Sequence, residues 1–316
     1  MSRKREDSIQ YTMIQNALKG IDGNKEKNRY KSRCKDFSSW LKSEYGINKP
    51  SVATANAQDL IQKYERKLEA SGYTPSTIHS YLAPICKGLG VNMKDIQKPK
   101  RTSDTIVRGR RSDTNPQGKR EIELEKYRPL VDVQRVTGLR RSELAKIRGR
   151  DLINDENGYL CIHIIGKGGK TQLQRILPED QHIIKNAFRN IQPNQLLFSP
   201  EMMKNKINLH SLRADQGYRT YQYYLNRIEN EPGYKLQCLK ELRDRHIALR
   251  PDGHSLLTFL KSCNNGTPYL LRGSNKEKAI KSGKPISYNR TALMMVSVFH
   301  LSHWRLDVTV TNYILQ

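Results

Sequence analysis

Hydrophobic periodicity stops between Pro99 and Arg120, and that break limits the chain to folds in two parts. The segment PKRTSDTIVRGRRSDTNPQGKR gathers Lys, Arg, Ser, Gly and Pro, as connectors do. Before it, apolar residues recur every three or four positions. Tyr30, Cys34, Phe37 and Leu41 form one such series, and Leu60, Ile61, Tyr64 and Leu68 another, with Gly46 and Gly72 placed as stops. Thr74 and Pro75 supply an N-cap and a first-turn proline ahead of Ile78, Tyr81, Leu82, Ile85 and Leu89, and Gly90 closes that helix. A weaker pattern from Ser8 to Lys19 adds a further helix. The expected organisation is a helical domain over 1–98, a basic linker over 99–120 and a second domain over 121–316.

The second part mixes two periods. Helices are expected from Glu121 to Val136, with a break at Gly138, and again from Ser142 to Ile147. The turn residues NDENG precede the β-rich run YLCIHII (159–165), the turn GKGGK follows, and TQLQRIL (171–177) alternates, which reads as a hairpin. Helical spacing returns through Leu212, Tyr221, Leu225 and Ile228, and in the Ala292–Leu301 stretch. The expected fold class is therefore mostly α with a small antiparallel β-sheet.

Lys and Arg number 56 against 31 Asp and Glu, a formal net charge of +25 spread through amphipathic segments instead of a tail. Solubility needs far less, so a polyanionic partner is expected. No run approaches the roughly 20 apolar residues that span a bilayer, and MSRKREDSIQ carries no apolar signal region. Those two features lead us to expect no membrane partner and a cytoplasmic location. The cysteines Cys34, Cys86, Cys161, Cys238 and Cys263 lack CxxC spacing, which points to reduced, mostly buried thiols and no zinc site.

Four segments carry the residue types that phosphate chemistry needs: TGLRRSEL (137–144), GKGGK (166–170), HSLR (210–213) and SHWRLDVTVTNY (302–313). A phosphodiester under attack gains charge on its non-bridging oxygens, which calls for fixed cations, and a guanidinium stays charged and offers a planar fork. Arg140 follows a Gly-Leu break, and Arg213 lies three residues after His210, on one helix face with it. Singly, none of these segments is distinctive. Gly169-Lys170-Thr171 ends as a phosphate-binding loop does, but Ile164 stands where the first glycine is required, which argues against ATP.

In this order, after a helical domain of about a hundred residues, the four segments resemble the tyrosine recombinase (phage integrase) family. The resemblance implies a helical core-binding domain and a catalytic domain that together form a clamp on duplex DNA. It makes Tyr313 the nucleophile, Arg140 and Arg213 the phosphate-clamping arginines, and His210 and His303 the histidines that bond the scissile phosphate and help take the nucleophile's proton. Lys167 becomes the general acid, with Lys170 as competitor across the two glycines. Glu143 is assigned a supporting role, orienting Arg140 or a histidine; Arg141, Lys170, Arg108, Arg110 and Arg111 are assigned to DNA contact. No cofactor or metal is implied. The family works as four copies on two DNA sites built of paired half-sites, so a homo-tetramer on DNA, a monomer without it, a directionality factor and a nucleoid location in a bacterium or phage are expected. The motif set suits an integrase or transposition enzyme of a mobile element. A type IB topoisomerase-like relaxing enzyme and a non-catalytic DNA-binding accessory protein are the alternatives.

This sequence departs from the family pattern in three places. Ser302 stands where a glycine before the histidine is more usual, and the spacing from His303 to Tyr313 is one residue longer than common. The stretch between Arg213 and His303 is much longer than in compact members, and part of it reads as an insertion, either an extra helix pair or a hairpin.

Overall fold

The computed structural model describes residues 8–101, 124–166, 169, 171–249 and 255–315. The chain separates into two compact units, Met1–Arg108 and Gly109–Gln316. Most of the linker expected over 99–120 lies outside the described residues, as do Arg108, Arg110, Arg111, Lys167 and Lys170.

Among its described residues the first unit contains five α-helices, α1 (Ile9–Leu18), α2 (Asn24–Tyr45), α3 (Pro50–Ala55), α4 (Ala57–Ala70) and α5 (Pro75–Leu89). Ser8 caps α1 by accepting from the Tyr11 amide, and Thr74 caps α5 by accepting from Thr77, so the β-region cap residues turn the chain into each helix. Phe37, Leu41, Ile61, Ile78, Leu82 and Ile85 are fully enclosed together with Ile9 and Met13. Each such burial is worth about 1.5–3 kcal/mol before entropy is charged. The short α3, begun by Pro50, has no apolar series long enough to mark it and was not expected.

In the second unit the described residues form a mostly helical body with a small antiparallel sheet, as the two periods imply. The sheet has three strands in the order β1 (Leu152–Asn154), β2 (Leu160–Ile165), β3 (Thr171–Arg175), with Ile165 opposite Thr171 and Cys161 opposite Arg175. The expected hairpin is β2–β3; β1 is an addition, joined to β2 through a turn where Asp155 accepts from the Asn157 and Tyr159 amides at 3.0 Å. The helix before Gly138 is described over Arg128–Thr137, with Pro129 in its first turn where no intrahelical amide bond is lost. Residues 121–123 of the range expected for it lie outside the described set. The HSLR segment opens a long helix, Leu209–Asn230. The late apolar stretch is α-helical over Arg290–Met295 and widens into a π-type turn over Val296–His300.

Between Arg213 and His303 the long helix is followed by helices Tyr234–Leu249, Leu256–Cys263 and Gly273–Lys281, and by a two-stranded ribbon of β4 (Tyr269–Leu270) with β5 (Ser287–Tyr288). The elaboration thus contains helices and a ribbon. All five cysteines are buried and free. No helix among the described residues is long and apolar enough to cross a membrane.

Candidate active site

Arg140 owes its position to a glycine turn. Gly138 closes the Arg128–Thr137 helix at φ 59°, a conformation that costs a residue with a Cβ, and a Cβ there would sit 2.6 Å from Gln216 Oε1 on the neighbouring helix. Arg140 then caps the short helix Arg141–Leu144. Its amide donates to Glu143 Oε2 at 2.7 Å and its Nη1 to Oε1 at 2.6 Å. The Glu143 side chain is 2% exposed and that of Arg140 34%. The carboxylate is enclosed and the guanidinium faces an open cleft of about 510 Å³ lined also by Arg141, Lys206, Asn208, His210 and Arg213.

Arg213 is 1% exposed on the Leu209–Asn230 helix. Its Nη1 donates to the Gly138 carbonyl, Nη2 to the Leu301 carbonyl at 2.7 Å and Nε to Tyr313 Oη at 3.2 Å. Burial, with Arg140 nearby, pulls its pKa below the usual guanidinium value, while Tyr313 and Glu143 oppose the shift. These bonds join the turn before Arg140, the end of the Val296–His300 segment and the tail tyrosine. Tyr313 itself is 6% exposed on a π-type turn, Val310–Ile314. Its ring stacks on His303, with centroids 5.5 Å apart at 19°, and meets His210 edge-on at 5.8 Å. The helix can approach this closely because Gly217 has no side chain: a Cβ there would lie 3.1 Å from Tyr313 Cβ.

His303 is held by one serine. Ser297 accepts the His303 amide on its carbonyl at 3.1 Å, its Oγ lies 3.3 Å from His303 Nδ1, and the same Oγ accepts the Arg305 amide at 2.8 Å. The residues on either side, Ser302 at φ 56° and Trp304 at φ 57°, lie in the left-handed region. That conformation costs roughly 1–2 kcal/mol per residue with a Cβ. Glycine would adopt it at position 302 without that cost. Burial, together with Arg213, Arg140 and Arg305, lowers the His303 pKa to about 3, so the ring is neutral near pH 7. Its Nε2 has no partner among the described residues.

His210 lies in the first turn of its helix, whose cap, Asn208, accepts from the Ser211 amide; its side chain is exposed at the cleft. Arg141 lines the cleft but gives donors to the Met203 carbonyl at 3.1 Å, Asn205 Oδ1 at 3.0 Å and the Ile207 carbonyl at 2.6 Å, and burial lowers its pKa. The fold therefore brings Arg140, Glu143, His210, Arg213, His303 and Tyr313 together. Lys167, Lys170, Arg108, Arg110 and Arg111 lie outside the described residues.

Several residues of this framework were not expected. Gln134, fully buried, donates to the Leu139 carbonyl at 2.9 Å and the Leu209 carbonyl at 2.7 Å, which sets Arg140 against the start of the His210 helix. Gln174 donates to the Thr137 carbonyl, and Gln172 to the Ser302 carbonyl at 2.8 Å, so β3 supports both arginine and histidine loops. The one local signal was a glutamine on an otherwise apolar helix face, four residues after Leu130 and three after Val131. Among the described residues no group of three or more His, Cys, Asp or Glu is arranged to hold a metal ion.

No family model matches the chain, and no curated protein matches it in sequence. Among solved structures, the crystal structure of XerA recombinase is similar at 15% identity, over 68% of this chain and 84% of that one, with a TM-score of 0.25. A score of that size does not establish a shared fold.

Proposed function

We propose that this chain is a site-specific DNA recombinase of the tyrosine type, which cuts and rejoins duplex DNA through a 3′-phosphotyrosyl intermediate. One observation carries the reading: the Tyr313 hydroxyl accepts from Arg213 at 3.2 Å while its ring lies between His303 and His210, beside a cleft that Arg140 faces.

In this reading Tyr313 Oη attacks the scissile phosphorus, the bond to the 5′ oxygen breaks, and a phosphotyrosyl bond replaces it. The energy of the broken bond is kept in that link, so rejoining by a 5′ hydroxyl needs no ATP. The Arg213 Nε–H bond holds the Tyr313 oxygen beside the guanidinium that faces the phosphate. Of the five N–H donors of a guanidinium, three go to Gly138, Leu301 and Tyr313. The remaining two and the Arg140 fork receive the non-bridging oxygens, on which charge develops. His210 and the Nε2 of His303 bond the phosphate and pass on the tyrosyl proton. A phosphodiester in the cleft opposes the arginine charges that depress the His303 pKa, which brings that ring nearer to a useful base. Glu143 holds Arg140 in place. Lys167, with Lys170 as competitor, protonates the departing 5′ oxygen.

The same reading assigns the first unit to DNA binding, in a clamp with the second, and four copies to two DNA sites. The net charge of +25 supports a DNA partner.

The test begins by selecting bound duplexes from a randomised pool, then nicking them near the bound site so that a cleaved strand diffuses away. An SDS-resistant adduct with wild type, absent with Tyr313→Phe, supports the reading. Binding without an adduct replaces it with a DNA-binding accessory protein. Adducts with relaxation of supercoils, but no strand exchange between two sites, replace it with a topoisomerase.

A further inference from the structure

The histidine loop is gripped from the side by residues that the chemistry above does not use. Trp304, directly after His303, packs against two aromatic rings from the elaboration between Arg213 and His303. Its centroid lies 5.4 Å from Phe259 on the Leu256–Cys263 helix and 6.0 Å from His246 on the Tyr234–Leu249 helix. His246 is 3% exposed and stacks on Phe259 at 4.6 Å and 24°. One turn of the Tyr234–Leu249 helix also reaches the sheet. Arg245, next to His246, donates to Asp155 Oδ2 at 3.1 Å; Arg175 of β3 donates to the same oxygen at 3.0 Å and pairs with Glu241. The helix that presses on Trp304 is thereby fixed to the strand carrying Gln172, which bonds Ser302.

We propose that His246, Phe259 and Trp304 form an aromatic clamp whose work is to position His303. The inference rests on the recombinase reading. His303 sits between two residues in left-handed backbone, and such conformations persist only where surrounding contacts over-determine them. Ser297 fixes the inner side of the loop through its three contacts. The clamp fixes the outer side, since a ring wedged against Phe259 and His246 keeps Trp304 from relaxing to negative φ. With the loop relaxed, the His303 ring would leave the stack on Tyr313. Phe259 and His246 are therefore positioning residues; neither lines the cleft.

The experiment compares wild type with Phe259→Ala, Phe259→Tyr and Trp304→Phe in full-length protein, using the selected duplex. Three quantities are read: the adduct-forming rate at saturating DNA, the Kd for DNA, and the rate at which diethyl pyrocarbonate modifies His303, followed by mass spectrometry. Phe259→Ala is expected to slow adduct formation on the order of 10- to 100-fold, as small misplacements of reacting groups do, with Kd within about threefold. His303 modification should quicken, and both ring-preserving variants should stay near wild type. Wild-type adduct rates in Phe259→Ala overturn the clamp, as does His303 modification unchanged in that variant. If Phe259→Ala does not fold, Phe259→Leu replaces it in the same comparison. A wild type that forms no adduct sinks the recombinase reading instead, and the modification rates then decide the clamp by themselves.

Discussion

Tyr313 and Arg213 stand a hundred residues apart in sequence and meet through a single hydrogen bond of 3.2 Å from Nε to Oη, inside a region where Arg213 is 1% exposed. The guanidinium holds three separate chain segments at once. Arg213→Lys keeps the charge but cannot span the Gly138 and Leu301 carbonyls and the phenol together. Leaving buried acceptors unmatched costs about 1–3 kcal/mol each, so the variant should lose about 3 kcal/mol in urea unfolding and form no adduct. Tyr313→Phe removes one bond and should lose only about 1 kcal/mol. Equal losses in the two variants would contradict the bridging role.

Glu143 is expected to act through Arg140. Glu143→Ala removes the carboxylate that accepts from the Arg140 amide and guanidinium, at a stability cost of about 1 kcal/mol, as loss of a helix-start acceptor does. Adduct formation at saturating DNA should fall at least about tenfold, since the fork is no longer preorganised, with a smaller change in Kd. An unchanged rate would show that Arg140 orients itself.

Stability should fall on acidification below neutral. Burial lowers the pKa of His300 and of His303 to about 3, whereas the unfolded chain titrates near 6.5. Between those values the unfolded state binds protons that the folded state does not, so stability is complete above pH 6.5 and drains as pH drops toward 3. For His300, fully enclosed and 3.0 Å from Tyr224 Oη, the loss at pH 5 is about 2 kcal/mol. His303, only half-buried, contributes less. Urea unfolding at pH 7.5 and pH 5 should show a smaller difference in His300→Gln than in wild type. Matching differences would mean that His300 is protonated in the folded state.

Ser302→Gly should stabilise the protein. Ser302 combines φ 56° with a buried hydroxyl that has no partner among the described residues, and glycine removes both costs while adding chain entropy to the unfolded state. The net gain is expected at about 0.5–1 kcal/mol, with adduct formation kept. A lower Tm would show that the hydroxyl or the Cβ is needed where it lies.

The helices were legible where a local signal repeats. The apolar series of α2, α4 and α5 and the caps Thr74 and Gly90 act within a few residues, so sequence spacing reports them directly. The short α3 and β1 fall below the length at which a period can be read. The residues that meet at the cleft could be singled out in the sequence because few residue types suit phosphate chemistry. Their supports could not, since Gln134, Gln174 and Ser297 act through bonds to residues that no local pattern links to them.

Sequence alone determined a mostly helical chain with a small sheet, a strong positive charge, and two arginines, two histidines and a tyrosine in segments suited to phosphate transfer. Only the tertiary structure decided how each arginine is committed, since Arg140 pairs with Glu143 while its neighbour Arg141, on the same cleft, gives its donors to Met203, Asn205 and Ile207. It also decided that burial beside Arg213, Arg140 and Arg305 keeps His303 neutral and that Trp304, next to it, packs against Phe259. The physical reason is range. Periodicity, capping and charge act over a few residues of chain, whereas burial, pKa and the aim of a side chain depend on groups that only folding brings together.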